Sequence, residues 1–134
     1  MSYWLMKSEP DAYSWQQLVK DKRTGWSGVR NYTAANNLKA MKKGDQAFFY
    51  HSNIGLEIVG IMEVAREAYP DASDKTGRFV MVDVKPLKAL KNPVSLKTVK
   101  ADKVLKKMAL AKFSRLSVSP VTAQEWKRVL HLAV

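Results

Sequence analysis

Between residues 46 and 67 the chain sets two apolar, strand-forming runs on either side of one short turn. No other feature limits the fold as much. Gln46-Ala47-Phe48-Phe49-Tyr50 is too aromatic for a loop and reads as a buried strand. His51-Ser52-Asn53-Ile54-Gly55 is a turn-forming run. Glu57 to Glu67 then carries Ile58, Val59, Ile61, Met62 and Val64, a further strand. A chain with this pair at its middle is organised around a sheet.

The flanking segments supply the other elements. Tyr3-Trp4-Leu5-Met6-Lys7 reads as a first buried strand, ended by Ser8-Glu9-Pro10-Asp11. Ser14 fits an N-cap with Gln17 completing a capping box, and Trp15, Leu18 and Val19 give that short helix an apolar face. Ala34, Leu38 and Met41 predict a second helix over 32–41, ended by Lys42-Lys43-Gly44. Phe79 to Val84, extensible to Leu90, is another strand, after a loop at 69–74. Pro93 is expected to interrupt it, and 96–99 fits neither state clearly.

Val104, Leu105, Met108 and Ala109 suit a short amphipathic helix with Lys103, Lys106 and Lys107 outside. Ser117-Val118-Ser119 reads as a last strand. Thr122 and Glu125 form a second capping box, and Val121 can staple onto Trp126 in the final helix. The fold class is α+β, one domain over 1–134, a curved mixed sheet or small barrel with peripheral helices.

Composition enters through charge and through what is missing. Lys and Arg number 23 against 12 Asp and Glu, a net +11. Ten of the basic residues and a single acid, Asp102, fall between Lys85 and Arg115. Such a cluster attracts a polyanion through phosphate contacts and counterion release. Lys103, Lys106, Lys107, Lys112 and Arg115 are the candidate phosphate binders. The bland alternative is a lysine-rich solvated face. No cysteine is present, so there is no disulfide, thiol nucleophile or Cys-based zinc site. No apolar run approaches the roughly 20 residues that span a bilayer, and no leader is visible, so a cytoplasmic location is expected.

The functional signal lies in Gly25-Trp26-Ser27-Gly28-Val29-Arg30-Asn31-Tyr32. A tryptophan between two glycines offers a stacking face that a flat ligand can approach, and Arg and Asn add fixed hydrogen-bond geometry. That grouping suits a planar polar ligand such as a nucleobase. Asn31 serves equally well as a helix cap, and Arg30 as an ion-pair partner of Glu9 or Asp11. Tyr32 and Tyr50 can also be read as core aromatics. His51, at the end of an aromatic strand and before Ser52-Asn53, is placed to face a cleft. His51 and His131 have no metal-ligand spacing, and neither a phosphate-cradling loop nor a nucleophile elbow occurs.

Trp4-Leu5-Met6-Lys7-Ser8-Glu9-Pro10, then Trp26-Ser27-Gly28-Val29-Arg30-Asn31-Tyr32 with Asn36, then Phe48-Phe49-Tyr50-His51-Ser52-Asn53 resemble the defining blocks of the EVE domain family. Arg115-Leu116-Ser117-Val118 and Pro120-Val121 resemble its C-terminal block, so the resemblance spans the chain. It implies a PUA-like bent β-barrel flanked by helices and a kinship with YTH domains, which read methylated adenine in RNA. It also implies that Trp26 is one wall of an aromatic cage. The second cage tryptophan of the YTH pattern has no counterpart, so the second wall is expected from Tyr32 or Tyr50. Arg is frequent in the family where this chain has Ala35.

The expected function is that of a non-catalytic, monomeric module binding a modified base in DNA or RNA, with no cofactor, metal or membrane. Trp26 would stack on the base, with Lys7, Ser8, Arg30, Asn31, Tyr32, Tyr50, His51 and Ser52 around it. A sensor of a free nucleotide is the alternative. An enzyme acting on nucleic acid ranks third.

Overall fold

A computed structural model describes residues 1–134. Six strands form one mixed sheet: β1 (Tyr3–Ser8), β2 (Thr24–Gly25), β3 (Gln46–His51), β4 (Glu57–Pro70), β5 (Val80–Ser95) and β6 (Val118–Val121). Their order is β2-β5-β4-β3-β1-β6. Only β1 and β3 run parallel, with Leu5 opposite Phe48 and Ser8 opposite His51; all other pairs are antiparallel. The helices are α1 (Trp15–Asp21), α2 (Tyr32–Ala40), α3 (Leu96–Ala101), α4 (Ala109–Lys112) and α5 (Ala123–Leu132), with a 3-10 turn at Leu105–Lys107.

Both faces of the sheet are buried, which is why the central strands lack a polar side. Side chains alternate across a strand. Trp4, Met6, Ala47 and Phe49 therefore enter one core, with α1, α2 and the indoles of Trp15 and Trp26. Leu5, Phe48 and Tyr50 enter the other, with α3, α4 and α5. Trp126 stacks there on Phe48, their rings 3.9 Å apart. β4 and β5 serve both cores: Val82 and Val84 face the first, Leu90 and Val94 the second. Register shifts between Ile58 and Gly60 and between Ile61 and Met62 bend the pair where it crosses over. A Cβ on Gly60 would lie 2.6 Å from the Trp15 ring, so only glycine lets that indole lie on the strand.

Local sequence explains the helix ends. Ser14 accepts from the Gln17 N–H as expected, but the Gln17 side chain turns to Asp21 and the second half of the box is missing. Thr122 and Glu125 form the complete reciprocal box.

Two expectations are corrected. The strand does not stop at Pro93 but continues to Ser95. Proline lacks a donor; Pro93 lies in the irregular stretch between the Ala89 and Val94 pairings, where no ladder bond is lost. The amphipathic helix at 104–109 is instead a 3-10 turn and the four-residue α4, separated by Met108 in extended conformation. Leu105, Met108 and Leu110 still reach the second core. The 96–99 segment is helical, capped by Ser95.

Candidate nucleic-acid interface

Lys7 and Ser8 end β1, β2 is Thr24–Gly25, and Trp26 and Ser27 follow it. With Glu9, Ala12 and Tyr13 they line a cavity of about 420 Å³, within the usual range of about 300–1,000 Å³ for small-ligand sites. Trp26 is 8% exposed and meets the Phe49 ring edge-on at 5.4 Å. Its indole is both a wall of the cavity and part of the first core. Its backbone N–H donates to the Val82 carbonyl at 2.7 Å, which ties the start of the loop to β5. Ser8 Oγ donates to the Tyr13 carbonyl at 2.6 Å. Its oxygen retains lone pairs for a ligand donor. Lys7 Nζ donates to the Ser114 carbonyl at 3.0 Å, and burial pulls its pKa below the ordinary lysine value.

The loop that carries Trp26 is gripped from β4's end by a buried carboxylate. Asp71, 2% exposed, accepts from the Gly28 N–H at 2.8 Å and Arg30 Nη1 at 3.2 Å. Its other oxygen accepts from the Ser73 N–H and Oγ at 2.8 and 2.6 Å. Burial opposes ionisation, but the bonds from Ser73, Gly28 and Arg30 outweigh it and hold the carboxyl at about 2. Gly28 has φ +87°, a conformation that side-chain-bearing residues rarely adopt. Arg30 therefore pairs with Asp71, not with Glu9 or Asp11.

Of the expected pocket residues, Lys7, Ser8 and Trp26 line this cavity together. The others lie elsewhere. Tyr50 is 2% exposed in the second core, on the opposite face of the sheet from Trp26, and cannot be the second wall. Tyr32 is 62% exposed and leans on Phe79 at 5.2 Å, next to Arg30. Asn31 spends its side-chain oxygen capping α2, accepting from the Ala34 N–H at 2.9 Å. His51 Nε2 accepts the Trp15 N–H at 3.1 Å at the start of α1, and the ring rests on Phe49. Burial lowers its pKa against a weaker upward pull from Glu57. Ser52 reaches the site only through its backbone, donating to the Ser8 carbonyl at 2.9 Å. Ala35 lies on the buried face of α2. The cavity's second aromatic is Tyr13, whose hydroxyl donates to Asp21 at 2.9 Å.

The family model for the EVE domain matches residues 2–132. The chain belongs to the EVE domain family. It is 38% identical to thymocyte nuclear protein 1 of Rattus norvegicus over 165 residues, covering 98% of this chain and 73% of the relative. Among solved structures, Rpa0253 of Rhodopseudomonas palustris superposes with a TM-score of 0.94 at 55% identity, covering 99% of this chain and 93% of that one. The human THYN1 protein, crystallised with DNA containing 5-methylcytosine, gives 0.90 at 38% identity over 99% and 98%. The YTH domain of Zygosaccharomyces rouxii MRB1, solved with N6-methyladenosine RNA, gives 0.63 at 16% over 98% and 86%. That last likeness is one of fold: the PUA-like architecture is shared.

The EVE domain has a second concavity beside the first, of about 480 Å³, lined by Asn31, Thr33, Lys112, Phe113, Ser114, Arg115 and Leu116. Lys103, Lys106, Lys107, Lys112 and Arg115 are all exposed, and none takes part in an ion pair. Only Lys112 and Arg115 border this groove. The three lysines at 103–107 lie in the segment that leads into α4.

Proposed function

We propose that this EVE domain is a non-catalytic reader of a modified nucleobase in DNA or RNA. The observation that carries the reading is the cavity itself. It has the size for one planar base, an indole in its wall, a second aromatic ring in Tyr13, and Ser8 and Lys7 among its polar lining. Stacking on an aromatic surface contributes about 1–3 kcal/mol per base. Ser8 Oγ and Lys7 Nζ can address the base's edge. The base must leave its stack to enter, at a cost of a few kcal/mol that these contacts recover. The kinship with a protein solved on DNA containing 5-methylcytosine supports a nucleic-acid ligand. The lysines at 103–107, together with Lys112 and Arg115, would hold phosphates.

The test is affinity for a panel of oligonucleotides that differ in a single cytosine or adenine modification. A preference for one modified base over its unmodified counterpart is the expected result, and equal affinity across the panel refutes the reading. Because the cavity holds a single base, a sensor of free nucleotide is the competing reading. Affinity that does not rise with strand length favours the sensor.

A further inference from the structure

The groove lined by Phe113 adjoins the cavity that takes the base but shares no lining residue with it, and its lining has a composition of its own. We infer that it binds the nucleotide flanking the read base, with Phe113 as the stacking surface and Lys112 and Arg115 on the phosphates. The inference rests on the base-reader proposal and names the next contact along the strand.

Three observations carry it. Phe113 is 58% exposed although its backbone is held in place. Its N–H donates to the Ala109 carbonyl at 2.8 Å, and its own carbonyl accepts from the Leu116 N–H at 3.1 Å. A large apolar ring left more than half in water at the end of a helix gains little from the fold. It gains from any flat partner laid on it.

The lining contains two cations and no acid. That complements a phosphodiester and would repel a basic peptide. Arg also offers a planar face and a bidentate grip on phosphate.

The two concavities meet at one contact. Lys7 lines the base cavity, and its Nζ lies 3.0 Å from the carbonyl of Ser114, which lines the groove. A strand whose base enters beside Lys7 is delivered across that contact to Phe113. Asn31 and Thr33 add polar groups to the lining, partners for the flanking base without base selectivity.

The experiment compares Phe113→Ala with wild type on three probes: 5-methyl-2′-deoxycytidine monophosphate, and a short single-stranded DNA with one internal 5-methylcytosine or the same strand with cytosine. The expected result is a loss of about 5- to 150-fold on both strands, the worth of one stacked base. Affinity for the mononucleotide should not change. Phe113→Tyr should restore strand binding, since a π-face remains. Lys112→Gln with Arg115→Gln should lower the salt slope by about 0.7 per lost phosphate contact. Strand affinity unaltered by Phe113→Ala overturns the inference, and so does an equal loss on the mononucleotide. A wild-type protein that binds methylated and plain strands equally, yet weakens on Phe113→Ala, refutes the base reading and leaves the groove standing.

Discussion

Asp71→Asn is the substitution that tests how the pocket wall is held. In the folded protein the carboxyl lies at about 2 against an ordinary 3.8. That difference, at about 1.36 kcal/mol per unit, amounts to roughly 2–3 kcal/mol. Arg30 is 41% exposed along its side chain, so solvent screens part of this, and about 2 kcal/mol is the expected contribution at pH 7. The asparagine keeps one acceptor but presents N–H where Gly28 or Ser73 now donates. Because the folded pKa is depressed, the stabilisation is present above pH 3.8 and is lost as pH falls through about 2. Unfolding free energies of wild type and variant from denaturant titration should therefore differ at pH 7 by about 2 kcal/mol. For a domain of this size that is a melting shift on the order of 6–8 °C. The gap should close between pH 4 and 2, and the Gly28 amide should lose protection from hydrogen exchange. Equal midpoints at pH 7, or a gap unchanged at pH 2, would refute the account of Asp71 as the clasp of the Trp26 loop.

Trp26→Ala should cost about 3–5 kcal/mol of stability because the indole packs on Phe49, whereas Trp26→Phe should stay folded and keep most base binding; calorimetry and titration of the two variants check this. His51 is neutral as acceptor of the Trp15 N–H and its pKa is lowered, so stability should decline as pH falls below the unfolded value of 6.5; His51→Gln should flatten that decline in denaturation midpoints from pH 7 to 5. Replacing Lys103, Lys106 and Lys107 together by Gln should weaken nucleic-acid binding and reduce the salt slope by about 0.7–0.9 per lost phosphate contact, and an unchanged slope would make these lysines a solubility device only.

The strands were legible because their apolar content admits no other reading: Phe48, Phe49, Ile58 and Met62 had to be buried. Their two-sided burial was legible too, and with it an answer to one question left open. Alternation along Gln46–His51 puts Phe49 and Tyr50 on opposite faces, so a pocket beside Phe49 excludes Tyr50. Tyr13 was not legible, since its place depends on a turn, with Tyr13 N–H bonded to the Glu9 carbonyl, that no pattern announces. Asp71 was hidden for a different reason. Its partner Gly28 is 43 residues away, and a carboxylate in a loop rich in Asp and Ser looks like ordinary turn chemistry. Phe113 carried no signal as a lone aromatic among lysines, because exposure is decided by how α4 ends and not by local propensity.

The pairing of β1 sets the order in which this protein can be made. Its first strand takes β3 on one edge and β6 on the other, joining Tyr3 to Val121 across nearly the whole chain. On the ribosome, Lys7, Ser8, Tyr13 and Trp26 emerge early, yet the edge of the strand that carries Lys7 and Ser8 stays open until 118–121 appear. Contacts so distant in sequence are slow to form, and an open edge is a template for wrong pairing. The nascent chain therefore passes through a long interval with an unsealed sheet, and a block in synthesis before residue 118 should yield an aggregating product, not a partly working one.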